Sequence, residues 1–159
     1  MSNIIKATKD DLPTLATMLF NSETGRKYYP TYETLYSLME ESSDNDLFYM
    51  LLHKEEIAGF IWFQKNGAFH TFTYLHMIFV KEEYRGHGYG KKLLDYLEEA
   101  SLYADGKKKL QSKVFLLVGD WNHSAINFYD HAGYTKLSTI PGLFRKRIDE
   151  QLMMKGIFG

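Results

Sequence analysis

The sequence predicts a mixed α/β fold: a single, mostly antiparallel sheet of about six to seven strands flanked by about four helices. Three observations carry that expectation. Apolar runs with strand character alternate with stretches of helical periodicity along the whole chain. The strand-like runs between residues 47 and 80 are separated only by turn signals, as antiparallel neighbours are. After them comes strand, helix, strand, the order of a crossover connection. With 159 residues, 45% apolar and 16% aromatic, the chain is expected to form one domain, 1–159, around a sizeable core.

Each element can be justified in turn. "NIIKA" (3–7) reads as a short strand. Thr8, Asp10 and Asp11 supply capping side chains, and Pro13 fits the first turns of a helix whose Leu12, Leu15, Ala16 and Leu19 share one face. "NSETGRKYYP" (21–30) reads as a loop, and a second helix is expected from about Thr31 to Glu41, ended by "SSDND". "LFYMLLH" and "IAGFIWFQ" form a hairpin around "KEE"; "NGAF" signals a turn into a long strand, 70–80. Leu93, Leu94, Leu97 and Ala100 mark the next helix. "ADGKKKLQSK" (104–113) reads as a charged surface loop, and "VFLLV" (114–118) has the continuous apolar character of a strand buried on both faces. Asn122 or Ser124 can start the last helix and Gly133 can end it. "YTKLST" and "EQLMMK" are the closing strands, separated by "IPGLFRKRID".

Composition excludes several classes of function. A net charge of -1 offers no global attraction to nucleic acid or to an anionic membrane. No apolar run approaches the ~18 residues of a membrane span. The N-terminal "MSNIIKATKDDLP" lacks a signal-peptide core, so a cytoplasmic protein is expected. Without cysteine there is no thiolate metal site and no cysteine nucleophile, and no metal is expected.

One stretch asks for a ligand. Gly86, Gly88 and Gly90 alternate at the mouth of the third helix, where each costs about 1 kcal/mol against alanine in a helix interior. A P-loop fails, because Arg85 stands five before Gly90 and Lys92 replaces Ser/Thr. A dinucleotide fingerprint also fails, with Lys91 where the third small residue belongs. What remains is R-x-x-G-x-G, Arg85 to Gly90, just past the strand end at Val80. A glycine turn at a helix N-terminus gathers amides and the helix dipole into an anion nest.

In these residues the sequence resembles the GCN5-related N-acetyltransferase (GNAT) superfamily, whose acyl-coenzyme A signature is Q/R-x-x-G-x-G/A between a strand and a helix. "VFLLVGDWNHSAINFYDHAGYTKL" resembles the family's second signature, with Asn122, Ala125, Phe128, Tyr129, Gly133 and Tyr134 in register. The likeness covers nearly the whole chain. Glu82 departs from it, where many members have proline.

The resemblance implies acetyl-CoA as cofactor and direct attack by an amine, without an acyl-enzyme. The pyrophosphate would sit on the loop Arg85, Gly86, His87, Gly88, Tyr89, Gly90 and Lys91, with Lys92 as further countercharge. The backbones of Ile78 and Val80 would pair with the pantetheine arm, and Asn122 would stand on the cofactor side. Tyr129 matches the usual general acid, although a tyrosine on a short amphipathic helix also packs as a core aromatic. His76 matches a position where some members carry a catalytic histidine, and Tyr74 one where others have glutamate. Strand alternation puts Tyr74, His76 and Ile78 on one face, while a lone strand histidine is as readily structural. Tyr28, Tyr29, Tyr32 and Tyr36 could wall an amine site by cation–π contact, or cover the core or a dimer surface. The expected partner is a small-molecule or peptide amine, with a homodimer left open. A protein N-terminal or lysine acetyltransferase, or an acyl-CoA-binding module without catalysis, are the alternatives.

Overall fold

Capping chemistry sets several helix boundaries in the computed structural model, which describes residues 2–159. Strand β1 (Ser2–Lys6) leads to a 3-10 turn, Lys9–Asp11, held by the Thr8 amide donating to Asp11 Oδ2 at 2.8 Å. Helix α1 (Leu12–Phe20) follows with proline in its first turn, where a missing N–H costs nothing. Helix α3 (Tyr32–Ser42) starts at Thr31, whose hydroxyl accepts from the Thr34 amide.

The chain forms two compact units, each built from two segments: Met1–Phe63 with Met77–Leu94, and Gln64–His76 with Asp95–Gly159. Among the described residues, seven strands make a mixed sheet in the order β1, β2 (Leu47–His53), β3 (Glu56–Ala68), β4 (Phe72–Val80), β7 (Gln111–Gly119), β9 (Ile148–Phe158) and β8 (Thr135–Arg145), and five α-helices accompany it. Its ladders are antiparallel for β1–β2, β2–β3, β7–β9 and β8–β9. The β4–β7 ladder is parallel, joined by the expected crossover through α4.

In the first unit, β2 (Leu47–His53) and β3 (Glu56–Ala68) form a hairpin. Leu12, Leu15, Ala16 and Leu19 of α1 meet Leu35 and Met39 of α3 over Phe48, Met50, Phe60 and Trp62. Each fully buried leucine contributes about 1.5–3 kcal/mol. The Trp62 indole donates to the buried Asp46 carboxylate at 2.7 Å, so neither polar group is stranded. Met77 and Phe79 of β4 (Phe72–Val80) pack against this core.

In the second unit, β7 (Gln111–Gly119) is buried along most of its length, as its apolar run requires. Helix α5 (His123–His131) is capped by Asn122, whose side-chain oxygen accepts from Ala125 N at 3.2 Å. Gly133 ends it at φ +98°, in the left-handed region that favours glycine. The part-buried Glu98 carboxylate of α4 (Tyr89–Ser101) accepts from the Tyr134 hydroxyl and the Lys155 ammonium, both at 2.9 Å. That network joins α4 to the start of β8 (Thr135–Arg145) and to β9 (Ile148–Phe158).

The structure corrects four sequence expectations. Residues 21–30 are not all loop: Ser22 caps a short helix α2 (Glu23–Tyr28), concealed in the sequence by Gly25. A Cβ on Gly25 would lie 2.0 Å from the Leu19 carbonyl oxygen, so glycine is required there by close approach. "NGAF" is not the turn. β3 runs on to Ala68, the chain reverses at Phe69 and His70 (both φ +56°), and β4 begins at 72, not 70. Residues 104–113 hold a small hairpin, β5 (Tyr103–Ala104) and β6 (Lys107–Lys108), turned by Asp105-Gly106. Finally, "IPGLFRKRID" belongs largely to β8 and β9, whose register is irregular between Ile140 and Arg145.

One local feature fixes the far end of β4. Leu51 pairs with Gly59 but Leu52 with Ile57, leaving Ala58 as a bulge. The Ala58 carbonyl accepts from the Lys81 amide at 2.8 Å. A Cβ on Gly59 would lie 2.4 Å from the Phe79 carbonyl oxygen and 3.1 Å from Val80 Cα. Gly59→Ala should therefore cost about 1–3 kcal/mol by overpacking against backbone. Gly156→Ala, which would meet only the Phe158 side chain at 3.4 Å, should stay within about 0.5 kcal/mol. Urea denaturation of both variants checks this; equal midpoints would refute the tight-approach account.

Candidate active site

The first unit contains the end of β4 and the glycine loop. β4 leads through Lys81 into a 3-10 turn, Glu82–Tyr84, so the residue that departs from the family pattern lies in that turn. Gly86 and Gly88 have φ +81° and +79°, and no heavy atom lies within 4 Å of a Cβ built on either. Left-handed backbone, not lack of room, is what demands glycine at both positions. Helix α4 then begins at Tyr89, with Lys92 N donating to Gly88 O at 3.1 Å. The amides of its first turn, including those of Tyr89 and Gly90, have no acceptor within the helix. An open, exposed cradle with amides and a helix dipole behind it fits an anionic group.

The side chains of this loop divide into those facing out and those turned in. Arg85 Nε donates to the Val80 carbonyl at 3.2 Å, tying the loop to the strand. His87 Nδ1 lies 3.1 Å from the carbonyls of Tyr84 and of Arg85, to which it donates, so the ring braces the loop from within. The Tyr89 ring is buried and its hydroxyl is hydrogen-bonded to His53 Nδ1. Tyr89 can therefore offer a ligand its amide and not its phenol. Lys91 and Lys92 are exposed, with the Lys92 ammonium 5.6 Å from the Tyr89 ring centroid. Ile78 and Val80 are half-buried.

The second unit contains the remaining candidates. The β4–β7 ladder has rungs Thr73–Val114, Tyr74–Phe115 and Leu75–Leu116; both strands continue past the last rung. Tyr74 and His76 share a face as alternation requires, their rings 6.0 Å apart and edge-on. Tyr129 is 8% exposed, and its ring packs edge-on against Phe128 and Tyr134 at 5.2 and 5.8 Å. Its hydroxyl has no hydrogen-bond partner among the described residues, yet is not a buried orphan, so the oxygen reaches accessible space. Burial, with a smaller contribution from Tyr74, pushes its pKa well above the usual tyrosine value. Tyr129 therefore keeps its proton throughout the neutral range and can donate it. Asn122 acts here as the cap of the helix that carries Tyr129.

Sequence reasoning missed the residues beneath the loop. His53, Glu56, Lys81 and Tyr84 are linked to it by hydrogen bonds and ring contacts. The available signal was their position, since His53 and Glu56 flank a two-residue hairpin turn.

The chain is similar to known acetyltransferases. Residues 14–134 match the acetyltransferase (GNAT) family. An 80-residue stretch is 35% identical to a thialysine N-epsilon-acetyltransferase of Sus scrofa, covering 50% of this chain and 44% of that protein. An uncharacterized N-acetyltransferase of Methanocaldococcus jannaschii is 31% identical over 156 residues, covering 91% of this chain and 66% of that protein. The chain thus spans about half to two thirds of these relatives' length. The crystal structure of Ard1 from Thermoplasma volcanium shares the fold, with a TM-score of 0.77 at 22% identity over 99% of both chains. The chain belongs to the GNAT acetyltransferase family.

The buried tyrosines give a pH prediction. Burial and the Glu98 carboxylate also raise the Tyr134 pKa. A folded pKa above the unfolded value, about 10, means that the stabilising contribution is complete below pH 10. It is lost as pH rises through the folded value. The urea midpoint should therefore hold between pH 8 and 9.5 and fall above about pH 10. Tyr134→Phe should make that fall shallower; an unchanged slope would refute the assignment.

Proposed function

We propose that this chain is a single-domain, acetyl-CoA-dependent N-acetyltransferase that transfers the acetyl group to a primary amine of a small molecule in the cytoplasm. The observation that carries the proposal is the glycine loop: R-x-x-G-x-G at the start of α4, with two left-handed glycines opening onto empty space. Family membership supports the thioester chemistry, and the name of the thialysine N-epsilon-acetyltransferase supports a small amine as acceptor. One domain is supported by β3, β4 and α4, each of which runs through both compact units.

In this reading each group has a limited task. The loop amides, with Lys91 and Lys92, hold the pyrophosphate, and Arg85 fixes the loop against Val80. The backbone of β4 around Ile78 and Val80, beyond the last β7 rung, pairs with the pantetheine arm. Acetyl-CoA supplies an activated acyl thioester. The neutral amine attacks its carbonyl carbon, the C–S bond breaks, and Tyr129 gives its proton to the departing thiolate. His76 takes the proton shed by the amine, through water, near neutral pH.

A thiol-release assay with acetyl-CoA and a panel of thialysine, lysine, diamines and N-terminal peptides tests the activity. Release above the no-amine rate with a small amine is expected. No acceleration by any amine, with acetyl-CoA still bound, would favour a non-catalytic acyl-CoA-binding module. Gly88→Asp places a negative charge on the nest and should abolish calorimetric acetyl-CoA binding; undiminished affinity in the folded variant would remove the loop assignment. Tyr129→Phe should lower kcat by roughly 10²–10⁴, the usual general-acid contribution, with binding intact. His76→Gln should lower kcat at neutral pH and remove the acidic limb of the rate profile, with acetyl-CoA affinity intact. Retention of that limb would return His76 to a packing role.

A further inference from the structure

The residues beneath the glycine loop form a connected group that the reaction as proposed does not use. His53 and Glu56 face each other on the last rung of the β2–β3 hairpin, and Lys54 turns between them at φ +59°. Glu56 accepts from Lys81 Nζ at 3.1 Å and from the Tyr84 hydroxyl at 2.9 Å, holding the segment that enters the loop. His53 Nδ1 is hydrogen-bonded to the Tyr89 hydroxyl, holding the residue that leaves it and begins α4. The His53 ring lies 5.2 Å from that of Tyr84 and 5.8 Å from that of Tyr89, and those two rings lie 6.1 Å apart.

We infer that the tip of the β2–β3 hairpin is a clamp that fixes both ends of the glycine loop before acetyl-CoA arrives. His53 and Glu56 are its positioning residues. This rests on the proposed role of the loop as the pyrophosphate site. Arg85 to Gly88 are exposed, and two of the four are glycines. Such a segment samples many backbone states, and ordering it on binding would weaken affinity. The loop's other side-chain bonds, from Arg85 and His87, are made within its own stretch of chain, to Val80, Tyr84 and Arg85. The hairpin ties it to a separate element through both ends. The Lys81 ammonium and Tyr84 hydroxyl hold the Glu56 carboxyl below its ordinary range, which matches a carboxylate kept charged in this role.

The clamp acts on the phosphate end of the ligand, and this makes it separable from general stability. His53→Leu removes the ring nitrogen and keeps the bulk. It should raise the acetyl-CoA KM about three- to tenfold, the worth of one hydrogen bond, with kcat unchanged. The same variant should use acetyl-pantetheine, which lacks the phosphates, as well as the native protein does. His53→Asn, which returns an amide near Nδ1, should recover most of the loss. Glu56→Gln, at an exposed position, should shift the acetyl-CoA KM in the same sense and serves if His53→Leu does not fold. Equal losses on both thioesters, or unchanged KM for acetyl-CoA, would overturn the clamp. If Gly88→Asp abolishes binding while these variants bind normally, only the clamp falls. If Gly88→Asp binds normally, the loop reading itself falls.

Discussion

Four of the candidate groups, Tyr74, His76, Ile78 and Val80, are positioned by the backbone of β4, held by different partners along its nine residues. Thr73 to Leu75 are rungs of the parallel ladder with β7. Met77 and Phe79 pack against the helical core of the first unit, which points the alternate residues the other way. At the end, Gly59 lets the neighbouring strand lie against Phe79 and Val80, and the bulged Ala58 takes the Lys81 amide. A strand constrained in this way can present its backbone beyond Leu75 without relying on side chains. Backbone recognition, as proposed for Ile78 and Val80, needs little more than correct placement and no chemically distinctive side chain.

The electrostatic design follows the same economy. The net charge is -1, so attraction of an anion has to be local. In the proposed reading, amides and a helix dipole supply it without desolvating a buried cation, which would be costly. The lysines beside the loop are exposed and hydrated, where they add long-range attraction that salt can screen. The proposed proton donor is treated oppositely. Tyr129 is buried, which suppresses ionisation and keeps a weak acid intact at neutral pH.

Much of this was legible in the sequence because it is written in short-range chemistry. The apolar period of Leu12, Leu15, Ala16 and Leu19, the cap at Asn122 and the alternation along β4 all gave elements found in the structure. Asn66-Gly67 misled because glycine in a turn and glycine at a close approach look identical in sequence. A Cβ on Gly67 would lie 2.9 Å from the Tyr74 Cβ, and that crowding is a tertiary fact. α2 was hidden for the same reason by Gly25. The hairpin tip under the loop was hard to read because His53 and Tyr89 are 36 residues apart and His53 belongs to no motif. The positions of Arg85 to Gly90 could be read directly; what holds them could not.

The terminal strand of the sheet has a consequence for behaviour at high concentration. β8 is eleven residues long, mostly exposed, and carries Leu137, Leu143 and Phe144 at its surface. A flat edge of that kind would recruit another chain's strand and seed aggregation. The strand is interrupted by Pro141, which has no N–H to offer, and by Gly142, at φ +58°, whose amide donates to Asp149 of β9 at 3.3 Å. The register breaks around the same residues, and Lys136 and Arg145 place like charges toward either end. The irregularity that made "IPGLFRKRID" look like a connection is thus what keeps an exposed strand from acting as a template.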